Sequence, residues 1–170
     1  MLKSATPHIG VLLLLLSCTP DPVISDPEIP FTGVSLMDEY GSSLASGDPT
    51  DWRIDDVWFP KEKALFPATA ALKNAPASPS VEAYPCMPNP GSRLYLGYRL
   101  PDSMELSLCI VDRNFSTLYR QDAIQFGLGY NAVILNLDSI PLRDTVRVYY
   151  QLQRRNATGV FRGHGDVILK

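Results

Sequence analysis

The sequence predicts a mainly β protein, a small antiparallel β-sandwich preceded by a proline-rich, mostly irregular half with one or two short helices. Two observations carry this. Thirteen of the fifteen prolines fall at or before Pro90, so the chain divides near Tyr84–Gly91 into a turn-rich part and a strand-rich part. From Glu82 onward the apolar residues recur with period two, the mark of half-buried antiparallel strands.

The chain opens with a cation, Lys3, then an apolar run from Ile9 to Leu16, and ends that run in Leu15-Leu16-Ser17-Cys18. This looks like a bacterial lipobox, in which the cysteine takes the lipid after cleavage of the signal peptide. Eight apolar residues fall far short of the ~20 that a spanning helix needs. Residues 1–17 therefore read as a lipoprotein signal peptide, and the implied partner is a lipid bilayer, reached through Cys18. Residues 18–30 have a proline every few positions and read as an extended acidic tether.

Residues 31–80 read as an irregular segment that docks on the body. Phe31–Leu36 suits one short strand, and Gly41–Pro49 is Ser/Gly-rich and reads as loop. Asp51-Trp52-Arg53-Ile54-Asp55-Asp56-Val57-Trp58-Phe59 holds both tryptophans, rings costly to leave in water. Docking is favoured; an exposed arm would make Trp52 and Trp58 partner or glycan contacts. Pro60 suits the first turn of a helix running to Phe66, with Glu62 near its positive end. Ala68–Asn74 reads as a further helical turn or two, and Ala75–Ser80 as a linker.

Residues 81–170 form the sandwich. Leu94–Leu100, Leu106–Ile110, Val133–Leu137 and Val146–Leu152 alternate, and Val167–Leu169 adds a last short run. In Val146–Leu152 the pattern points Val148 and Tyr150 into the core and turns Arg147 and Tyr149 outward to solvent. Pro101-Asp102-Ser103, Arg113-Asn114 and Gly127-Leu128-Gly129 supply turns. Gly163 and Gly165 fit a turn or bulge ahead of the final strand.

Tyr84–Lys170 also resembles the immunoglobulin-like C-terminal sorting domains of type IX secretion substrates in Bacteroidota. The matching features are Tyr84-Pro85 with Pro88-Asn89-Pro90, the strand Leu94–Leu100, a second strand ending in Asp112, Gly129-Tyr130-Asn131, Tyr149-Tyr150 and a terminal strand ending in Lys170. Cys86-Met87 interrupts the opening and Asp112-Arg113-Asn114-Phe115 lacks the middle-turn glycine, so the resemblance implies an immunoglobulin-like fold and not the sorting role. The tryptophan block together with Phe161–Val167 resembles small Bacteroidota lipoproteins, which implies an outer-membrane location and supplies no activity.

Thr19–Pro60 carries nine acids against one base, and Lys61–Lys170 thirteen bases against nine acids. An acidic leader beside a mildly basic body suits self-contact or a solvated tether. The bases are scattered without a stripe, which argues against a nucleic-acid partner. With Cys18 lipidated, Cys86 and Cys109 remain, and two readings stay open: a disulfide in an oxidising compartment, or two unlinked thiols.

Catalytic chemistry is hard to assemble. His8 leaves with the signal peptide, so His164 is the sole histidine of the mature chain and no multi-histidine metal site can form. Cys109 with His164 could make a nucleophile pair, but glycines on both sides of His164 favour a structural role. Asp48, Asp51, Asp55 and Asp56 lack calcium-loop spacing and read better as a solvated acidic turn. Trp52, Trp58, Tyr95 and Tyr149 could stack on sugars only as one contiguous exposed row. Ser103, Ser139 and Thr145 each follow an aspartate in a pattern that resembles the O-glycosylation signal of Bacteroidota exported proteins. The leading expectation is a lipid-anchored envelope protein acting as a non-catalytic protein-binding or structural module, with no cofactor and no metal. A carbohydrate-binding accessory lipoprotein is the alternative, and a hydrolase or redox protein the second.

Overall fold

The structure, a computed structural model, describes residues 29, 31, 33–38, 42–45, 47–55, 57–66, 70–71, 77–84, 93–137, 140, 144–155 and 159–169. Cys18, Cys86 and Ser139 lie outside these residues. The protein is mainly β, two antiparallel sheets facing each other across one apolar core.

The smaller sheet has the order β5–β6–β9, formed by Ser80–Tyr84, Arg93–Leu100 and Gly129–Asn136. The larger has the order β3–β11–β10–β7–β8, formed by Arg53–Ile54, Gly159–Ile168, Thr145–Arg154, Met104–Val111 and Thr117–Phe126. Leu94, Leu96 and Tyr98 from one sheet meet Leu106, Leu108, Val148 and Tyr150 from the other, all with no solvent exposure. The alternation that predicts these strands exists because one face of each strand must enter this core.

Two strands escape a reading by period. β8 lies at the sheet edge with most side chains in solvent, so no apolar alternation marks it, and a register shift opposite Leu106/Leu108 interrupts it. β11 is ten residues long rather than three. Gly163 and Gly165 stand in mid-strand, in unbroken register with Tyr150 and Val148, and make no turn. They are small because the Trp52 ring lies against Gly165, and the Arg53 carbonyl and Tyr150 ring crowd Gly163.

The N-terminal segment is more ordered than its composition suggests. Leu36–Met37 (β1) pairs with Ser43–Ala45 (β2), where the sequence reads as loop. The helix, α1, is one turn, Pro60–Lys63, and stops well short of Phe66; Glu62 Oε2 accepts the Phe59 N–H at 2.7 Å at its start. Ala70–Ala71 (β4) pairs in parallel with β11 instead of forming a helical turn.

This segment covers the outer face of the larger sheet, which overturns the expectation that Arg147 and Tyr149 face solvent. They do point away from the inter-sheet core, but both are buried. A second cluster forms over them from Trp58, Phe66, Cys109, Val111 and Tyr149, with Phe31, Leu65 and Phe115 packed against it. Cation–ring contacts in both directions hold the cover to this charged face. Arg162 lies 5.5 Å from the Trp58 ring centroid, Arg147 4.7 Å from that of Phe31, and Lys61 4.8 Å from that of Phe115.

Candidate functional site: a tyrosine groove on the smaller sheet

The inner face of β5–β6–β9 is spent on the core, and its outer face stays open. Register places three outward rows across it. Tyr84, Tyr95 and Ile134 make one; Glu82, Gly97 and Ala132 the next; Ser80, Arg99 and Tyr130 the third. The middle row is small at Gly97 and Ala132, with Glu82 at its end, so the sheet carries a trough between phenols.

Gly97 is its floor. A Cβ there would come within 2.7 Å of Glu82 Cγ, Glu82 Oε1 and Tyr130 Oη, so carboxylate and hydroxyl both lean over the glycine. Tyr130 donates its hydroxyl to Glu82, and its phenol pKa is raised, first by burial and then by this bond. Asp38, held by the Ser42 N–H at 2.8 Å, brings a second carboxylate to the rim. The cavity is about 260 Å³. Four aromatic side chains are exposed among the described residues, and three of them, Tyr84, Tyr95 and Tyr130, line this one groove.

Of the residues that sequence reading ranks as contacts, only Tyr95 is here. Trp52 and Trp58 are 2% and 4% exposed, and Tyr149 is fully buried, so none belongs to a surface row. Tyr84 and Tyr130 escape attention because only strand register brings them to Tyr95. The available signal is Gly97 in the middle of a strand, a position that marks a close approach.

The acidic and histidine candidates meet elsewhere, beneath the N-terminal segment. Asp48, Asp51 and His164 are buried with potential ligand atoms within 4.8 Å of one another. Their bonds are structural. Asp51 accepts the Ser35 N–H at 2.9 Å and, at 3.0 Å, the N–H of Asp166 on the free edge of β11. Asp48 accepts the Thr50 N–H at 2.8 Å and faces Arg147 at 3.7 Å. Arg147 holds Asp166 bidentately at 2.6 and 2.8 Å, and Thr50 Oγ1 lies 3.2 Å from His164 Nε2. The Arg147 guanidinium is the cation of the cluster. Burial pushes Asp51 up to about 7 and His164 down to about 4. Asp55 turns away to cap the Val57 N–H, and Asp56 lies outside the described residues.

Cys109 is a free, buried thiol 3.8 Å from Thr117 Oγ1, and burial raises its pKa, which disfavours the reactive thiolate. The disulfide reading has no support at this end. Cys109 lies on the outer face of β7 as alternation implies, but under the Trp58 layer rather than open to an entry loop. Ser103 is half-buried in the turn before β7, and Thr145 Oγ1 accepts from Arg113 at 3.2 Å.

Comparison with protein-family models, with curated proteins and with solved structures finds no match. Fold and groove therefore carry the functional argument. Among the described residues, no helix is long and apolar enough to cross a membrane.

Proposed function

We propose that this protein is a lipid-anchored envelope component whose sandwich, immunoglobulin-like by its resemblance to sorting domains, is a non-catalytic recognition module. It engages a protein partner through the tyrosine groove. The observation that carries the reading is the convergence of Tyr84, Tyr95 and Tyr130 on one glycine-floored trough, while the other large aromatics, apart from Phe59, are at least half-buried. Tyrosine offers large contact area at low entropic cost, which suits it to recognition surfaces. A binding role is favoured over catalysis because His164 and Cys109 are buried in structural clusters, away from the groove. The anchor rests on Leu15–Cys18, since the several chains of a lipid-modified cysteine hold a membrane where one chain binds only marginally.

Two experiments test the reading. Cys18→Ser should leave an unprocessed or soluble precursor, and normal membrane fractionation with lipid labelling of that variant would sink the anchor. A photo-crosslinking residue at position 95 of the full chain in its native envelope should yield a discrete adduct that Gly97→Leu removes. The same residue at exposed Gln121 should yield none. Equal adducts at both positions, or persistence in Gly97→Leu, would overturn the groove as the contact surface.

A further inference from the structure

We infer that the groove receives a basic side chain, the guanidinium or ammonium head of an arginine or lysine presented by the partner. The inference rests on the reading of the groove as a recognition surface and adds the chemistry of what enters it.

Size comes first. A cavity of about 260 Å³ is smaller than the usual small-molecule pocket and suits one side-chain head group.

Charge comes second. Glu82 and Asp38 bring two carboxylates to the lining, and among the described residues no lysine or arginine lines it. The low-dielectric walls of a cleft focus the field of such carboxylates. Arg99 stands beside Tyr130 in the third row and acts on its phenol, so one base flanks the acidic lining.

The phenols come third. Tyrosine rings attract cations through their π-systems, and an aromatic enclosure with carboxylates is a recognised way of holding an organic cation. The opposite side of this molecule already uses the same pairing, with arginines seated against Trp58 and Phe31. A neutral sugar fits less well. Its hydroxyls can pair with the Tyr84 and Tyr95 phenols, but it brings no charge to offset Glu82 and Asp38, and the Tyr130 hydroxyl is committed to Glu82.

The test uses the full chain in detergent micelles with ring-labelled tyrosines, read by NMR. The probes are N-acetyl-arginine amide, N-acetyl-lysine amide, the uncharged isostere N-acetyl-citrulline amide, and a neutral oligosaccharide such as maltotriose. The two cations should shift the Tyr84, Tyr95 and Tyr130 signals saturably, and citrulline should bind about five- to tenfold more weakly, the loss expected for one cation–π contact and one exposed ion pair. Glu82→Gln should weaken arginine binding by a comparable factor, and Gly97→Leu should abolish it with the fold intact by circular dichroism. Equal binding of arginine and citrulline would overturn charge recognition. Shifts from the oligosaccharide without shifts from arginine would replace the ligand class and keep the groove. If no probe moves the three tyrosines, the cationic inference fails, and so does the groove reading once the position-95 adduct is also missing.

Discussion

Trp52 and Trp58, six residues apart, grip the same sheet from opposite faces. Trp52 lies in the inter-sheet core against Gly165, whereas Trp58 lies on the outer cover, 5.2 Å edge-on from Tyr149. The chain between them adds β3 to the free edge of β11, with Trp52 N–H bonded to the His164 carbonyl and Asp55 N–H to that of Arg162, each at 2.7 Å. The acidic block thus seals an edge that would otherwise invite pairing with another chain.

Each tryptophan should therefore matter separately. Trp52→Ala and Trp58→Ala should each cost about 3–5 kcal/mol, the range for large aromatic truncations. The rings share no contact across the sheet, so the double variant should be near-additive in chemical denaturation. A small effect at Trp58 would mean that the cover contributes little to the fold.

Arg147 is predicted to be intolerant of charge reversal. It is 2% exposed and bonded to Asp166, which has no exposure. Arg147→Asp would set two carboxylates together in the dry, and removing one partner of such a pair costs about 3–5 kcal/mol. Arg147→Met should destabilise less in combination with Asp166→Leu than by itself. Melting curves of the three variants decide this, and a stable Arg147→Asp protein would refute the burial of the pair.

The buried network should also carry two opposing pH dependences. Asp51 titrates near 7 in the fold against an ordinary 3.8. Between these values the folded form holds a proton that the unfolded form has lost, so its stabilisation is complete below 3.8 and is lost as pH rises through about 7. His164 titrates near 4 against an ordinary 6.5, so its contribution is present above 6.5 and is lost as pH falls through about 4. In the window from 4 to 6.5 the two slopes cancel in part; Asp48 is the charged neighbour common to both, while Asp166 acts on Asp51 and Arg147 on His164. The stability of wild type relative to Asp51→Asn should rise on acidification from pH 7 to 4, and relative to His164→Gln it should fall from 6.5 to 4. Flat differences would refute both assignments.

Strand glycines should divide by what crowds them. At Gly97 an added side chain meets Glu82 and Tyr130 side-chain atoms and no backbone, so Gly97→Ala should displace their contact and cost about 1 kcal/mol, less than at Gly163. At Gly163 it meets the Arg53 backbone and the Tyr150 ring, which is itself bonded through its hydroxyl to the Arg53 carbonyl at 2.7 Å. Gly163→Ala should expel β3 and cost about 1–3 kcal/mol or more. Hydrogen exchange at the Trp52 and Asp55 amides reports that loss directly.

What the sequence determined by itself was the sandwich. Period-two alternation records which face of a strand is dry, and it marked Leu94–Leu100, Leu106–Ile110, Val133–Leu137 and Val146–Leu152 because each has one face in the core. It did not mark β8, whose edge position removes the dry face, nor most of β11, where glycines stand in place of apolar side chains to admit Trp52 and Tyr150. Arg147 and Tyr149 show the limit of the pattern. Alternation states which way a side chain points from its sheet and says nothing of what another segment lays over it. Trp58, Phe66 and Phe31 cover that face from sites about eighty to more than one hundred residues away from Arg147 and Tyr149 in the chain. The groove was decided in the same way. Tyr84, Tyr95 and Tyr130 lie on three strands and become neighbours only through the register of β5, β6 and β9, a tertiary choice that no local pattern encodes.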